Sequence, residues 1–441
     1  MKSSPAPSGP PPTGGVDRRL GGRVWAALLV IGLVGQIAWT VENMYLNVFV
    51  YERITQDPTI IALMVSLSAI AATVATLIVG AWSDRMGKRR AFVAVGYVVW
   101  GACTAAFGLL SPEEGVVAAP YVFAAVIGIV ALDCLMSMIG SGANNAAFGA
   151  WVTDVTTPQT RGRADAVLAA LPLIAMLLVF GALDGFSRAG EWRAFFGIVG
   201  VVTAISGMIA WALMRDAGQL GGAAGTASLS TRLLLGFRPS TVRANAPLYL
   251  SLGMLAVIGT AAQVFLPYVI IYLQYGLQVE SYALILGVSL VAAAAISVLG
   301  GILMDRIGKS RLLLPATMLF AGGLVLMFFA KDTVSVIIAA ALALGGMMLA
   351  TASVSATARD ETPDGQAGMV QGLRMVMGTM IPMVVGPFIG AWAIVSAGST
   401  YVDLGVARPV PGPTMFVAAA AVLLVLPLLA TWRARLERRS R

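Results

Sequence analysis

The stretch Gly80-Ala-Trp-Ser-Asp84-Arg85-Met-Gly87-Lys88-Arg89-Arg90 decides the fold, because the chain contains it twice. The second copy, 221 positions later, reads Gly301-Ile-Leu-Met-Asp305-Arg306-Ile-Gly308-Lys309-Ser-Arg311. The same offset places Glu42 on Gln263 and Tyr51 on Tyr272, so one register runs without gaps over about 50 residues. The chain therefore consists of two similar halves in parallel orientation.

The sequence around both copies is too apolar for a soluble protein. Apolar residues make up 58% of the 441 positions and charged residues 11%, against about 25% charged residues in an ordinary soluble domain. A bilayer-spanning helix needs about 20 apolar residues. Long apolar runs predict helices, since membrane β-barrel strands alternate apolar and polar residues. Twelve such runs cover residues 24–51, 58–82, 91–110, 117–150, 164–185, 193–214, 244–273, 280–304, 312–330, 333–357, 367–397 and 414–432.

Lysine and arginine residues predict the orientation. With the N-terminus inside, 24 of the 29 basic residues fall in inner segments, which is the bias of cytoplasmic loops. We therefore expect a multi-pass protein of the cell membrane with both termini in the cytoplasm. The expected units are a flexible tail (1–22), a six-helix bundle (23–214), a linker (215–243), a second six-helix bundle (244–433) and a basic tail (434–441).

Composition excludes several chemistries. The chain has no histidine, which removes His-based metal sites, Ser/His/Asp triads and histidine proton relays. Cys103 and Cys134 lie inside apolar runs and predict no disulfide. The net charge of +8 reflects membrane topology and not nucleic acid binding, because the basic residues form short clusters between apolar runs. We expect no enzyme activity, no cofactor and no metal site, and we expect a monomer in the lipid bilayer.

The repeated stretch resembles the signature loop of the major facilitator superfamily, which lies between helices two and three and recurs between helices eight and nine. The resemblance covers nearly the whole chain. It implies an all-α polytopic membrane protein whose twelve transmembrane helices form two pseudo-symmetric six-helix bundles. We expect Gly80 and Gly301 to permit close helix approach, and Asp84 and Asp305 to meet a helix end or a nearby arginine. The implied cytoplasmic gating residues are Gly80, Asp84, Arg85, Gly87, Arg89, Asp154, Arg161, Asp305, Arg306 and Gly308.

A second loop, Trp151–Arg163, carries Asp154 and Arg161 after the fourth apolar run, and residues 359–365 echo it in the other half. In the superfamily such loops act with the signature loop as a latch. This loop and the run Glu42-Asn43-Met-Tyr45 also resemble the glycoside–pentoside–hexuronide cation symporters. Drug–proton antiporters carry an arginine within helix four, and here that helix has none. Drug efflux is therefore not favoured.

Two acidic residues, Glu42 and Asp133, lie well inside apolar runs. A charge at the bilayer centre costs at least about 2.5 kcal/mol, so such residues are usually functional. Each is expected about 7 to 9 Å outward of the middle of its helix, and in the superfamily both helices line the central cavity. We predict that Glu42 and Asp133 couple transport to a proton or a sodium ion.

Polar residues recur at helical spacing around these acids, and a polar face inside a span lines a cavity or another helix. Simple hydrogen bonding between neighbouring helices is the alternative for these positions. Aromatic residues add a surface for an organic ligand. The candidate substrate-binding residues are Trp39, Asn43, Tyr45, Asn47, Ser137, Asn144, Gln263 and Tyr268.

The sequence thus predicts a secondary active transporter that moves a small organic solute by alternating access, with proton or sodium coupling. Two alternatives stay open. One is an uncoupled uniporter in which both acids only order the helices, and the other is a non-transporting membrane receptor or scaffold on the same fold. The residues identify neither the solute nor the direction of transport.

Overall fold

The structure is a computed structural model that describes residues 20–110, 119–216, 236–363, 366–403 and 406–440. It contains twelve helices long and apolar enough to cross a membrane, which confirms the predicted number of spans. We number them α1 to α12. Their bounds are α1 Gly22–Arg53, α2 Pro58–Met86, α3 Arg89–Leu109, α4 Val122–Val155, α5 Gln159–Ala182, α6 Trp192–Leu213, α7 Ala246–Gly276, α8 Tyr282–Ile307, α9 Lys309–Phe329, α10 Thr333–Asp360, α11 Met369–Ala397 and α12 Thr414–Leu436.

Short elements lie between the spans. The helices Asp184–Arg188 and Pro239–Ala244 precede α6 and α7, and a single 3₁₀ turn, Ala119–Tyr121, precedes α4. Two strands, β1 (Thr400–Asp403) and β2 (Val406–Pro409), pair antiparallel with Thr400 opposite Pro409. They form a small hairpin between α11 and α12 in an otherwise helical fold. The predicted tail 1–19 and the central part of the predicted linker, 217–235, lie outside the described residues.

Four spans contain a stretch of wider π-helical backbone. The stretches are Val41–Tyr45 in α1, Ser141–Phe148 in α4, Tyr272–Gly276 in α7 and Val376–Met380 in α11. The long fourth run, in which the sequence suggests a break or kink at Gly140 and Gly142, is therefore one continuous helix with a π-helical segment. Such segments are rare and are frequently found at functional sites. In α1 the π-helical turn contains Glu42.

The two halves meet at one end of the bundle, which we call the closed end. The Tyr268 hydroxyl in α7 donates to the Pro58 carbonyl of the other half at 3.0 Å. Glu52 in α1 accepts hydrogen bonds from Gln274 at 3.2 Å and from the Tyr275 hydroxyl at 2.6 Å. The opposite end carries the two signature loops, and we call it the basic end. Alternate helices begin at the two ends, so α1 and α7 both begin at the basic end.

The glycines of the signature loops differ from the expectation. Gly87 and Gly308 have positive φ values of 61° and 93°, so each permits the sharp turn that ends its helix. The expected close approach at Gly301 is wrong, because a Cβ atom there has nothing within 4 Å. At Gly80 a Cβ atom meets only Ala146 at an ordinary 3.8 Å. The close helix contact of the second half is made one residue earlier, where Gly300 lies against Leu349.

Candidate transport pathway and ion-coupling site

The two intramembrane acids come together inside the N-terminal bundle. Glu42 of α1 is 7% exposed and Asp133 of α4 is 1% exposed, and their carboxyl groups are close enough to interact electrostatically. The Ser137 hydroxyl donates a hydrogen bond to Glu42 Oε1, and Ser68 of α2 lies beside Asp133. Three helices of the same half, α1, α2 and α4, therefore contribute side chains to this cluster. We call Glu42 and Asp133 the acid pair.

One oxygen of each acid has no hydrogen-bond partner among the described residues. These oxygens are Glu42 Oε2 and Asp133 Oδ1, and both are buried. A buried polar atom without a partner costs free energy, and adjacent carboxylates in a low-dielectric interior repel each other. A proton or a cation bound between the two acids would remove both costs. The arrangement is therefore suited to binding a positively charged species.

The predicted asparagines of α1 donate hydrogen bonds to backbone carbonyls one turn earlier in the same helix. Asn43 donates to the Trp39 carbonyl, and Asn47 donates to the Asn43 carbonyl, each at 2.8 Å. Trp39 packs on Trp100 of α3 with ring centroids 5.1 Å apart. The Asn47 side chain is fully buried, and its Oδ1 has no partner among the described residues. These residues form the polar interior next to the acid pair.

The other predicted substrate residues lie apart from one another. Tyr45 is buried against Phe180 and Phe195, and its hydroxyl donates to Asp184 at 3.0 Å. Tyr268 is fully buried at the closed end, where its hydroxyl contacts the carbonyls of Pro58 and Pro387.

Asn144 lies in the π-helical part of α4 next to Gly35, and Gln263 in α7 lies against Gly386. Of the eight predicted substrate residues, none is among the described residues that line the two cavities between the halves.

The deeper of these cavities has a volume of about 290 Å³, and every residue lining it is apolar. It extends from the meeting of α1, α5 and α7 into the C-terminal bundle. Five methionines contribute, which gives the wall a flexible and polarisable surface. Met44 lies on α1 and Met176 on α5, and the other three, Met327, Met347 and Met348, lie on α9 and α10. The methionines of α9 and α10 are the signal in the sequence that could have indicated this cavity.

A second cavity, of about 630 Å³, lies between the halves nearer the basic end. Seven of its twelve lining residues have polar side chains, so we call it the polar cavity. Thr76 and Asn145 face it from the N-terminal half, and Thr351, Ser355 and Arg374 face it from the C-terminal half. Among the described residues, polar contacts near the basic end stay within one half, whereas several at the closed end join the halves. The protein is therefore open toward the basic end.

The predicted latch of the N-terminal half is assembled around one arginine. Arg89, at the start of α3, pairs with Asp84 at the end of α2 and lies 3.3 Å from Asp154 at the end of α4. Its Nη1 also donates to Ser83 at 2.7 Å. Arg161 donates instead to Thr156 and to the Thr153 carbonyl, both in its own loop. Arg85 is exposed.

The second half uses different partners at the same end. Lys309 pairs with Asp360, and Arg433 of α12 lies 2.7 Å from Glu361, which also accepts from Ser251. Asp305 and Arg306 are exposed. Neither makes an ion pair within the part of the chain that the structure describes. The two signature loops thus share a sequence motif but make different contacts.

The structure has twelve apolar helices in two similar halves, with a cavity between the halves that opens at one end. This is the architecture of a polytopic membrane transporter. A family model described as Major Facilitator Superfamily matches residues 28–261 and 248–441. The chain belongs to the Major Facilitator Superfamily.

Solved structures share this fold. The nucleoside transporter NupG superposes with a TM-score of 0.69 at 12% identity, over 92% of this chain and 98% of that chain. A bacterial homolog of the human lysosomal transporter Spinster superposes with a TM-score of 0.67 at 16% identity, over 95% of this chain and 97% of that one. No curated protein matches the sequence. At these identities the likeness concerns the fold alone.

Proposed function

We propose that this protein is a secondary active transporter that moves a small organic solute across the cell membrane by alternating access, coupled to a proton or a sodium ion at Glu42 and Asp133. The observation that carries the proposal is the acid pair, with one buried oxygen on each carboxyl group to which no described residue donates a hydrogen bond. A buried charge is costly, so two acids placed together within the membrane indicate a function. A merely structural role would be served by neutral side chains.

The ligands favour a monovalent ion or a proton. The acid pair offers two carboxylates, and Ser68 and Ser137 beside it add two hydroxyls. Among the described residues no group of three or more His, Cys, Asp or Glu side chains is placed to hold a metal ion. Divalent cations generally take more charged oxygen ligands than this pair supplies.

The two cavities support the binding of an organic solute. They lie on the axis between the halves, where carriers of this architecture bind their substrates. A nucleoside, the substrate named for NupG, would need polar partners for its base and its sugar, and the deeper cavity offers none from its lining side chains. A solute with an apolar portion is therefore favoured over a nucleoside.

We further propose that the basic end faces the cytoplasm, because basic loops are retained on that side. In this orientation the structure is open to the cytoplasm and closed to the outside. A reporter domain fused after Arg441 that is active only in the cytoplasm tests this orientation. Activity of the same reporter only outside the membrane would reverse it.

Coupling is tested with purified protein in lipid vesicles. A thermal-shift screen first identifies a bound solute, because a ligand of the folded state raises the melting temperature. Accumulation of that solute should then require a proton or a sodium gradient, and a protonophore or sodium removal should abolish it. Flux that persists unchanged without both gradients would indicate a uniporter. Binding without any flux would indicate a receptor.

A further inference from the structure

Arg374 is the basic side chain that faces the polar cavity between the two halves. It lies on α11, about five residues or roughly 8 Å along the helix from its first residue. Its neighbours in the wall are hydroxyl and amide side chains, including Thr76, Asn145 and Ser355. A guanidinium group offers five donors in a planar fork that matches a carboxylate or a phosphate.

No described residue neutralises Arg374. The side chain makes neither a hydrogen bond nor an ion pair with any described residue, and the charged group that acts on it is another cation, Arg359. The described acids at the end of α10 are engaged elsewhere, since Asp360 pairs with Lys309 and Glu361 pairs with Arg433. The cavity therefore presents a positive charge whose partner is not supplied by the described chain.

The polar and apolar cavities are neighbours along a single helix, α10. Leu344, Met347 and Met348 of α10 line the apolar cavity, and Thr351 and Ser355 on the next turns line the polar one. Thr351 is three positions after Met348 on the helix, a rise of about 4.5 Å. A single ligand can therefore contact both walls, with its apolar part deep and its polar part toward the basic end.

We propose that Arg374 binds the anionic group of the transported solute, and that the solute is an amphipathic organic anion whose apolar part occupies the methionine-rich cavity. This inference rests on the proposed transport function and narrows its substrate class. A carboxylate or phosphate monoester satisfies the guanidinium, and an aromatic or alkyl body matches a wall that lacks polar side chains. An organic cation would meet Arg374 and Arg359 with like charge.

The test uses three probes with the same bicyclic ring, and it needs no transport. They are 1-naphthoate, the neutral 1-naphthamide and the cation of 1-naphthylmethylamine, titrated against the full-length protein in lipid nanodiscs by calorimetry. We expect 1-naphthoate to bind more tightly than the amide, and the amine to bind least. The difference between anion and amide should be about tenfold or more, the usual scale of a charge-assisted hydrogen bond.

Variants assign the preference to one side chain. Arg374→Gln should remove the preference for the anion, Arg374→Lys should retain part of it, and Met347→Trp should weaken all three probes by filling the apolar cavity. Arg311→Gln removes an exposed arginine at the same end of the bundle and should change nothing. Unfolding temperatures of all variants, and the retained binding of Arg374→Lys, separate a local effect from misfolding.

Three results would overturn the proposal. They are equal binding of the anion and the amide, an unchanged preference in folded Arg374→Gln, and no binding of any of the three probes to the wild-type protein. None of these three results affects the transport proposal, which depends on gradient-driven flux in vesicles. Conversely, flux without coupling would remove the acid pair from the mechanism and leave the anion site standing.

Discussion

The N-terminal and C-terminal halves share a sequence register but have different interiors. The N-terminal half buries two carboxyl groups, Glu42 and Asp133, among three of its helices. At the position that repeats Glu42 the C-terminal half has the neutral Gln263, and its interior contains most of the apolar cavity. The C-terminal half also carries Arg374 in the polar cavity. One half is thus suited to an ion and the other to the body of an organic solute.

The difference shows what a duplicated architecture retains. Helix lengths, the turn glycines Gly87 and Gly308 and the basic loops persist in both halves, because they determine insertion and the ends of the helices. The buried acids Glu42 and Asp133 do not persist, because a charge inside a span is costly and is retained only where it has a use. The closed end holds the two specialised halves together through Glu52, Tyr268 and their partners.

The largest expected effect is that of Glu42→Gln, which makes the first half resemble the second at this position. Glutamine keeps the size of the side chain and can still accept the bond from Ser137, but it cannot carry a changing charge. We expect the variant to fold, to bind solute and to exchange it between the two sides. Gradient-driven accumulation in vesicles should be lost, so that inside and outside concentrations become equal.

The matched control is Glu280→Gln, which removes an exposed acid outside the acid pair. It should accumulate solute as the wild-type protein does. Full accumulation by Glu42→Gln would make Glu42 a structural residue, and Asp133→Asn would then be the next variant to measure. The double variant Glu42→Gln with Gln263→Glu tests whether an acid in the second half can replace Glu42. We expect that it cannot, because Asp133 has no acidic counterpart in the second half.

The second prediction compares the two signature loops. Asp84→Asn weakens the contact with Arg89, which joins the ends of α2, α3 and α4, whereas Asp305→Asn changes an exposed residue that makes no ion pair with any described residue. A partly exposed ion pair is worth up to about 1 kcal/mol, and 1 kcal/mol changes a conformational equilibrium about fivefold. We expect the rate of transport to fall about fivefold in Asp84→Asn and to stay unchanged in Asp305→Asn.

Both variants should reach the membrane in normal amounts, because Asp84 and Asp305 lie in the last turns of α2 and α8, beyond the apolar runs 58–82 and 280–304. Quantitative immunoblotting checks this. Similar loss of transport in the two variants would mean that both loops carry the same latch. In that case the contacts seen here would describe only one state of the cycle.

The third prediction concerns the closed end, where the halves touch. Tyr268→Phe removes the hydroxyl that contacts the carbonyls of Pro58 and Pro387, so it weakens the join without changing the packing of the ring. A hydrogen bond of this kind contributes about 1 kcal/mol. The melting temperature in nanodiscs should therefore fall by a few degrees. Tyr272→Phe is the control, since Tyr272 packs edge-on against Phe416; equal destabilisation in the control would refute the assignment.

Much of the fold was predictable from the sequence, because spans are long and continuously apolar. Their number and order were predicted correctly, and the predicted bounds mostly differ from the observed ones by a few residues at each end. The prominence of Glu42 and Asp133 was also predictable, since an acid in an apolar run stands out. Their place in one cluster with Ser68 and Ser137 depends on how α1, α2 and α4 pack. That packing cannot be read from a single sequence.

The cavities were not predictable by the same reasoning. Apolar residues that line a cavity, such as Met347 and Met348, look like any other residues of an apolar span. Arg374 appeared in the sequence as one more basic residue near an inner helix end, and only its place in the polar cavity separates it from the loop arginines. Tyr45 and Tyr268 appeared as ligand residues because aromatic rings suit many ligands, whereas their hydroxyls hold helices together.

The smallest expected effect tests the glycines of the two signature loops. The usual explanation, that a glycine here permits two helices to touch, predicts a large loss of stability on adding a methyl group. In this structure a Cβ atom at Gly301 meets nothing within 4 Å, and one at Gly80 meets only Ala146 at 3.8 Å. Alanine favours a helix over glycine by about 0.5 to 1 kcal/mol.

Gly301→Ala and Gly80→Ala should therefore leave the melting temperature unchanged or raise it slightly. Gly87→Ala is the contrasting variant, because φ is 61° there and a side chain is strained whatever the space. It should lower the melting temperature. If Gly80→Ala melts normally but transports slowly, the glycine serves a state of the cycle in which the basic end closes and α2 approaches another helix. If Gly301→Ala shows the same defect, the second half closes in the same way as the first, despite its different ion pairs.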